Sequence, residues 1–97
     1  MSTLDAVPAA VTGVVGRVVD DEAVLVLPEK GEVKVLNEVG ARIWALTDGV
    51  RSVRDIARLI CEEYEVEMEI AEADTLDFLK DLEDRGAIKF FKQANQG

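Results

Sequence analysis

The chain has 97 residues, 48% of them apolar and 32% charged, which fits one small soluble domain with a modest core and little room for a deep catalytic cleft. Eleven Lys plus Arg against twenty Asp plus Glu leave a net charge of −9, which opposes nucleic acid and anionic membrane surfaces, since phosphate binding draws on Lys and Arg. With no His and one Cys, Cys61, the sequence excludes His-based triads, His-bearing zinc sites and intrachain disulfides.

In chain order, residues 1–12 contain Ala, Ser and Pro without a period and read as a flexible tail. A single domain is expected over residues 13–92, and residues 93–97 read as a second flexible tail. Residues 14–19 (Val-Val-Gly-Arg-Val-Val), rich in β-branched Val, read as a strand that stops at Asp20-Asp21, a pair suited to a turn. Residues 23–27 (Ala-Val-Leu-Val-Leu) are apolar throughout, as in a strand that is central or covered on both faces. Pro28-Glu29-Lys30-Gly31 reads as a reverse turn, and Glu32-Val33-Lys34-Val35 alternates like a half-buried strand. Short connections predict an antiparallel three-stranded meander, with the all-apolar strand in the middle and the alternating one at an edge.

The period changes at Asn37, a good helix N-cap followed by Glu38 in the first turn. Val39, Ile43 and Leu46 form one apolar stripe, and Asp48-Gly49 is expected to close the helix with Gly49 in the left-handed conformation. Ser52 and Asp55 match a capping box for a second helix, in which Val53, Ile56, Ala57, Ile60 and Tyr64 share one face. A third helix begins near Glu69 without a strong cap and ends at Arg85-Gly86. Residues 88–91 read either as a short strand or as a packed tail. The fold class is therefore α+β: a three-stranded antiparallel meander followed by a three-helix bundle, winged helix-turn-helix-like in arrangement.

In the third helix, Ala71, Thr75, Phe78 and Leu82 project in nearly one direction and are expected to face the core. Leu76 and Leu79 project about 60–140° from that direction, with Glu72, Lys80 and Glu83 beside them. Two readings follow: a ledge packed on the sheet or the last residues, or one wall of a groove. Trp44 lies about 140° from the first helix's stripe, so it either covers a neighbouring element or anchors a partner.

A DNA-binding winged helix needs a basic recognition helix, and residues 69–85 carry seven acidic residues against two basic ones. Glu62, Glu63, Glu65, Glu67 and Glu69 lack calcium-loop spacing and read as a solvated face. Cys61, beside Glu62 and Glu63, is a structural residue rather than a nucleophile. The single, scattered glycines form no phosphate-cradling loop. No catalytic constellation, metal site or cofactor site is expected. Residues 1–11 have neither the basic start nor the apolar run of a signal peptide, and no segment is apolar enough to span a bilayer, so a cytoplasmic protein is expected.

Residues 36–49, Leu-Asn-Glu-Val-Gly-Ala-Arg-Ile-Trp-Ala-Leu-Thr-Asp-Gly, closely resemble the first helix of PqqD-like proteins, which is led by Leu-Asn and ends in Asp-Gly. Residues 51–57 resemble their second helix, and Tyr64-Glu65-Val66 before an acidic, Leu-rich helix completes a resemblance over residues 24–88. The chain departs from that family in its strongly acidic third helix and in Glu67-Met68 at that helix's start. The resemblance implies a non-catalytic domain that binds the leader of a ribosomally made precursor peptide and presents it to a modifying enzyme, often a radical-SAM protein. It also implies that the leader docks as an extra strand between the third meander strand and the third helix. On this sequence, Val33, Lys34, Val35 and Leu36 would then offer the strand edge, and Leu76 and Leu79 would bury apolar leader side chains. Glu72 and Glu83 would favour a basic leader, and Lys80 would fix register. The competing expectation is a structural subunit, a homodimer, that uses the same edge for self-association.

Overall fold

The computed structural model describes residues 3–20, 22–27 and 31–92. In chain order the elements are a 3₁₀ turn (Thr3–Asp5), β1 (Val7–Ala10), β2 (Val15–Val19), β3 (Glu22–Leu27), β4 (Glu32–Leu36), α1 (Glu38–Leu46), α2 (Val53–Tyr64), α3 (Met68–Asp84) and β5 (Ile88–Phe91). The α+β class and the meander-then-helices order follow the expectation from the sequence.

The meander has the order β2-β3-β4, all antiparallel. Pairings such as Gly16↔Leu25↔Lys34 and Ala23↔Leu36 set which side chains share a face. Ala23, Leu25 and Leu27 are buried beneath the helices, whereas Val24 and Val26 are only half-buried on the other face. The all-apolar strand is thus central but covered on one side, and the outer face shows Val15, Val33 and Val35 to solvent. Asp20 and Gly31 both have positive φ, 57° and 64°, where the two turns were expected. Residue 21 and residues 28–30 of those turns lie outside the described residues, as does the tail expected at 93–97.

Each helix end has an identifiable chemical cause. The Asn37 side chain accepts the Gly40 N–H at 2.8 Å and starts α1. Helix α1 stops at Leu46, earlier than expected. The Asp48 carboxylate then accepts the N–H groups of Val50 and Arg51, each at 2.9 Å, so Gly49 serves the following loop rather than the helix cap. Both hydrogen bonds of the Ser52/Asp55 capping box are present at the start of α2. Helix α3 has no side-chain cap at Glu67. It ends where Gly86 N–H donates to Glu83 C=O at 2.9 Å and Ala87 N–H to Leu82 C=O at 2.8 Å, with Gly86 at φ 80°. That paired closure directs the chain back under the helix, and Ala87 and Ile88 are buried there. The Cys61 thiol donates to Val66 C=O at 2.9 Å, tying down the α2–α3 turn.

Trp44 covers a neighbouring element: it lies across Gly16 of β2. A Cβ on Gly16 would meet Trp44 Nε1 at 2.5 Å and Leu25 Cδ2 at 3.3 Å. This close approach accounts for a glycine inside a strand, where it is otherwise unfavourable. Gly16→Ala is expected to lower stability by about 1–3 kcal/mol, the cost of forcing atoms into a packed contact. It should also shift the emission of the chain's single tryptophan. An unchanged urea midpoint with unchanged emission would contradict this packing.

The amino-terminal segment corrects the tail expected over residues 1–12. Strand β1 pairs antiparallel with β5, from Val7↔Phe91 to Ala10↔Ile88. Val7 and Pro8 are buried, Ala6 C=O accepts the Val53 N–H at 2.9 Å, and Arg54 of α2 pairs with Asp5 at 3.3 Å. Two apolar residues and a few hydrogen bonds dock this segment although it has no sequence period. Residues 88–91 are accordingly a strand. Among the described residues, no helix is long and apolar enough to cross a membrane.

Candidate functional site

Strand β4 has one strand neighbour, β3, and no described residue pairs along its other edge. Alternation along β4 sends Glu32, Lys34 and Leu36 to the helix side of the sheet and Val33 and Val35 to the outer side. Leu36 is buried and Lys34 is half-buried.

Helix α3 lies along this side, running opposite to β4. Lys34 Nζ is 3.2 Å from Asp81 Oδ2, and Glu32 Oε1 is 3.5 Å from the Arg85 guanidinium, which also meets Asp81 at 3.0 Å. Two residues of strand advance about 6.6 Å and four residues of helix about 6 Å, so the register Glu32–Arg85, Lys34–Asp81 is maintained. The Asp81 carboxyl is held below its ordinary range, first by the Arg85 hydrogen bond and then by that from Lys34. Arg85 is correspondingly raised, chiefly by Asp81.

One step further along this register the ion pairs give way to an open hollow of about 370 Å³, lined by Asn37, Val39, Gly40, Ile43, Asp74, Asp77 and Phe78. The Asn37 cap places Gly40 in the first turn of α1, where a side chain would crowd Phe78: a Cβ there would lie 3.0 Å from Phe78 Cε1. A hydrogen at this position lets the ring stand half-exposed as a wall of the hollow. The α3 side of the groove is thus a stripe of Asp74, Phe78, Asp81 and Arg85, spaced four, three and four apart.

Because the Asp81 carboxyl lies lower in the folded chain than in the unfolded one, its stabilising contribution is full above the unfolded carboxylate range, near about pH 4. It is lost as pH falls through the folded value. Asp81→Asn is expected to lower stability near neutrality, where that contribution is full, and to flatten the acid limb so that the two stability–pH profiles converge below about pH 4. The effect should be small, since the Asp81 side chain is 44% exposed and surface pairs contribute about 1 kcal/mol at most. Urea melts at stepped pH measure it, and superimposable acid limbs would contradict the pairing.

Of the site residues expected from sequence, the structure brings Lys34 and Leu36 to the groove side of β4 and leaves Val33 and Val35 on its outer face, each 62% exposed. Leu79 is not a ledge: it is fully buried in the core with Ala71, Thr75 and Leu82. Leu76 is half-buried against that core. At 100° per residue, Leu76, Lys80 and Glu83 sit about 80–140° to one side of Thr75, whereas Phe78, Asp81 and Arg85 sit about 60–120° to the other. Glu72 shares the flank of Leu76 and pairs with Arg54 of α2 at 3.5 Å. The wall facing β4 is therefore the opposite flank of α3 from the one formed by Glu72, Leu76, Lys80 and Glu83. Phe78, expected in the core, belongs to that wall instead. The four-three-four stripe was present in the sequence, but a rival stripe containing two leucines was the more apolar.

An antiparallel sheet whose β4 edge is open and is backed by an antiparallel helix across a groove of side-chain dimensions has the geometry that strand addition requires. The sequence profile of Coenzyme PQQ synthesis protein D (PqqD) matches residues 22–88, and the chain belongs to this family. Several solved structures are similar. TbiB1 in complex with the TbiA(beta) leader peptide is 33% identical, with a TM-score of 0.77 over 84% of this chain and 94% of that one. The PqqD truncation of Methylobacterium extorquens PqqCD is a stand-alone recognition element for ribosomally synthesized and post-translationally modified peptides. It is 28% identical, with a TM-score of 0.75 over 91% and 93% of the two chains. Lasso peptide synthetase B1 complexed with the leader peptide is 27% identical, with a TM-score of 0.76 over 84% and 96%. No curated protein matches the sequence.

Proposed function

We propose that this protein is a leader-peptide-binding module: it takes up the extended leader of a ribosomally made precursor as a fourth strand on β4 and presents the rest of the precursor to a modifying enzyme. The observation that carries this reading is the unpaired β4 edge with α3 and the hollow alongside it. Similar folds solved with leader peptides support it. Backbone groups of β4 would pair with the leader, and alternate leader side chains would enter the space between β4 and the Phe78 wall. Each buried aliphatic side chain contributes roughly 1.5–3 kcal/mol, so two or three offset the ordering of a flexible segment. The role is recognition rather than catalysis, and in this reading the precursor is passed to a modifying enzyme, such as a radical-SAM protein.

The test is an amide NMR titration with synthetic leader peptides, taken from short precursor-like reading frames found beside the gene. Saturable shifts at residues 32–37 and at Phe78, with the mass of a one-to-one complex by light scattering, are expected. A tight dimer whose β4 amides ignore the leader would instead favour self-association through the same edge.

A further inference from the structure

The groove has two chemically different ends. At the Glu32 end, two cations (Lys34 and Arg85) meet two anions (Asp81 and Glu32), so the side chains that lace β4 to α3 are mutually neutralised. At the Leu36 end lies the hollow, with apolar walls from Val39, Ile43 and Phe78 and with Asp74 and Asp77 on its rim. Neither carboxylate has an ion-pair partner among the described residues. The net field of the groove is therefore negative at the end where an apolar side chain can be seated. The whole molecule, at −9, reinforces it.

We infer that the hollow and its rim form a specificity subsite for a leader segment in which a large apolar residue is flanked by Lys or Arg. The apolar side chain fills the space beside Phe78, and the cation lies against Asp74 and Asp77. This rests on the leader-binding reading and adds two things to it: the chemical class of leader accepted, and where its basic residue sits, beyond Leu36 and not beside Glu32. A leader with an acidic residue at that position would meet two unneutralised carboxylates and be rejected, which is selection by repulsion as much as by attraction. Electrostatic complementarity of this kind acts mainly on encounter rate and partner choice, and it weakens with salt. The Glu72 and Glu83 carboxylates, on the far flank, have no part in it.

The probe is a displayed library of about ten randomised residues, one strand in length, selected against the wild-type protein and against the double variant Asp74→Asn/Asp77→Asn. Wild-type selections should be enriched in Lys or Arg next to Leu, Phe, Tyr or Trp, and the double variant should lose that enrichment. Synthetic copies of the wild-type winners should bind the double variant about three- to tenfold more weakly at low ionic strength, and the gap should close in high salt. Winners that bind wild type with shifts along β4 but carry no basic enrichment would overturn the inference and leave leader capture standing. Failure to select any saturable binder would overturn both.

Discussion

Replacing Leu79 with Ala is expected to remove about 2–5 kcal/mol of folding stability, the loss typical of a large aliphatic side chain deleted from a closed core. Leu79 is fully buried where α3 packs on its neighbours, with Thr75 and Leu82 on the same face. A domain of this length has about 5–15 kcal/mol in total, so the variant should melt about 10 °C or more below wild type. Leu76→Ala, at a half-buried position on the flank, should lose less than half as much. Calorimetry or urea melts of the pair decide the matter. Equal, small losses would mean that α3 is rotated and that Leu79 faces solvent.

The second large effect concerns the Phe78 wall. Phe78→Ala should weaken leader binding about ten- to a hundredfold, as expected for a ring that closes the deepest part of an interface. Because the ring is half-exposed in the free protein, the fold should survive with a modest drop in melting temperature. Gly40→Ala provides an independent check that deletes nothing. Alanine favours a helix by about 1 kcal/mol over glycine, but its Cβ would stand 3.0 Å from Phe78 Cε1 and push the ring toward the hollow. This variant should keep wild-type stability to within about 1 kcal/mol while binding leader measurably less well. Isothermal titration gives the affinities, and wild-type affinity in both variants would remove the hollow from the binding site.

Most of the framework was legible in the sequence because local chemistry and the final fold agree there. Alternation and turn residues marked the meander. Asn37, the Ser52/Asp55 pair and Gly86 each make the backbone hydrogen bonds or adopt the φ that their positions imply. Strand β1 was not legible, because four residues that include a proline carry no period and gain their order only by docking on β5 and α2. The α3 face was only partly legible. Placing the aromatic Phe78 in the core and Leu79 outside it turns the core stripe by only about one quarter of a right angle, but it leaves Leu79 to join Leu76 as the more apolar flank and draws the groove to the wrong side. Periodicity alone could not resolve this, since both flanks combine apolar and charged residues. What resolves it is the partner across the gap: Lys34 reaching Asp81, and Gly40 leaving space for the Phe78 ring. The site is a property of pairs brought together from distant segments, and single-helix patterns do not contain it.

Strands β1 and β5 place Val7 directly opposite Phe91. In an antiparallel ladder, residues so paired stand about 5 Å apart, so this ribbon holds residues 7–10 and 88–91, far apart in sequence, against one another. Each is consequently the other's only strand neighbour among the described residues, so loosening one strips the ladder hydrogen bonds from both.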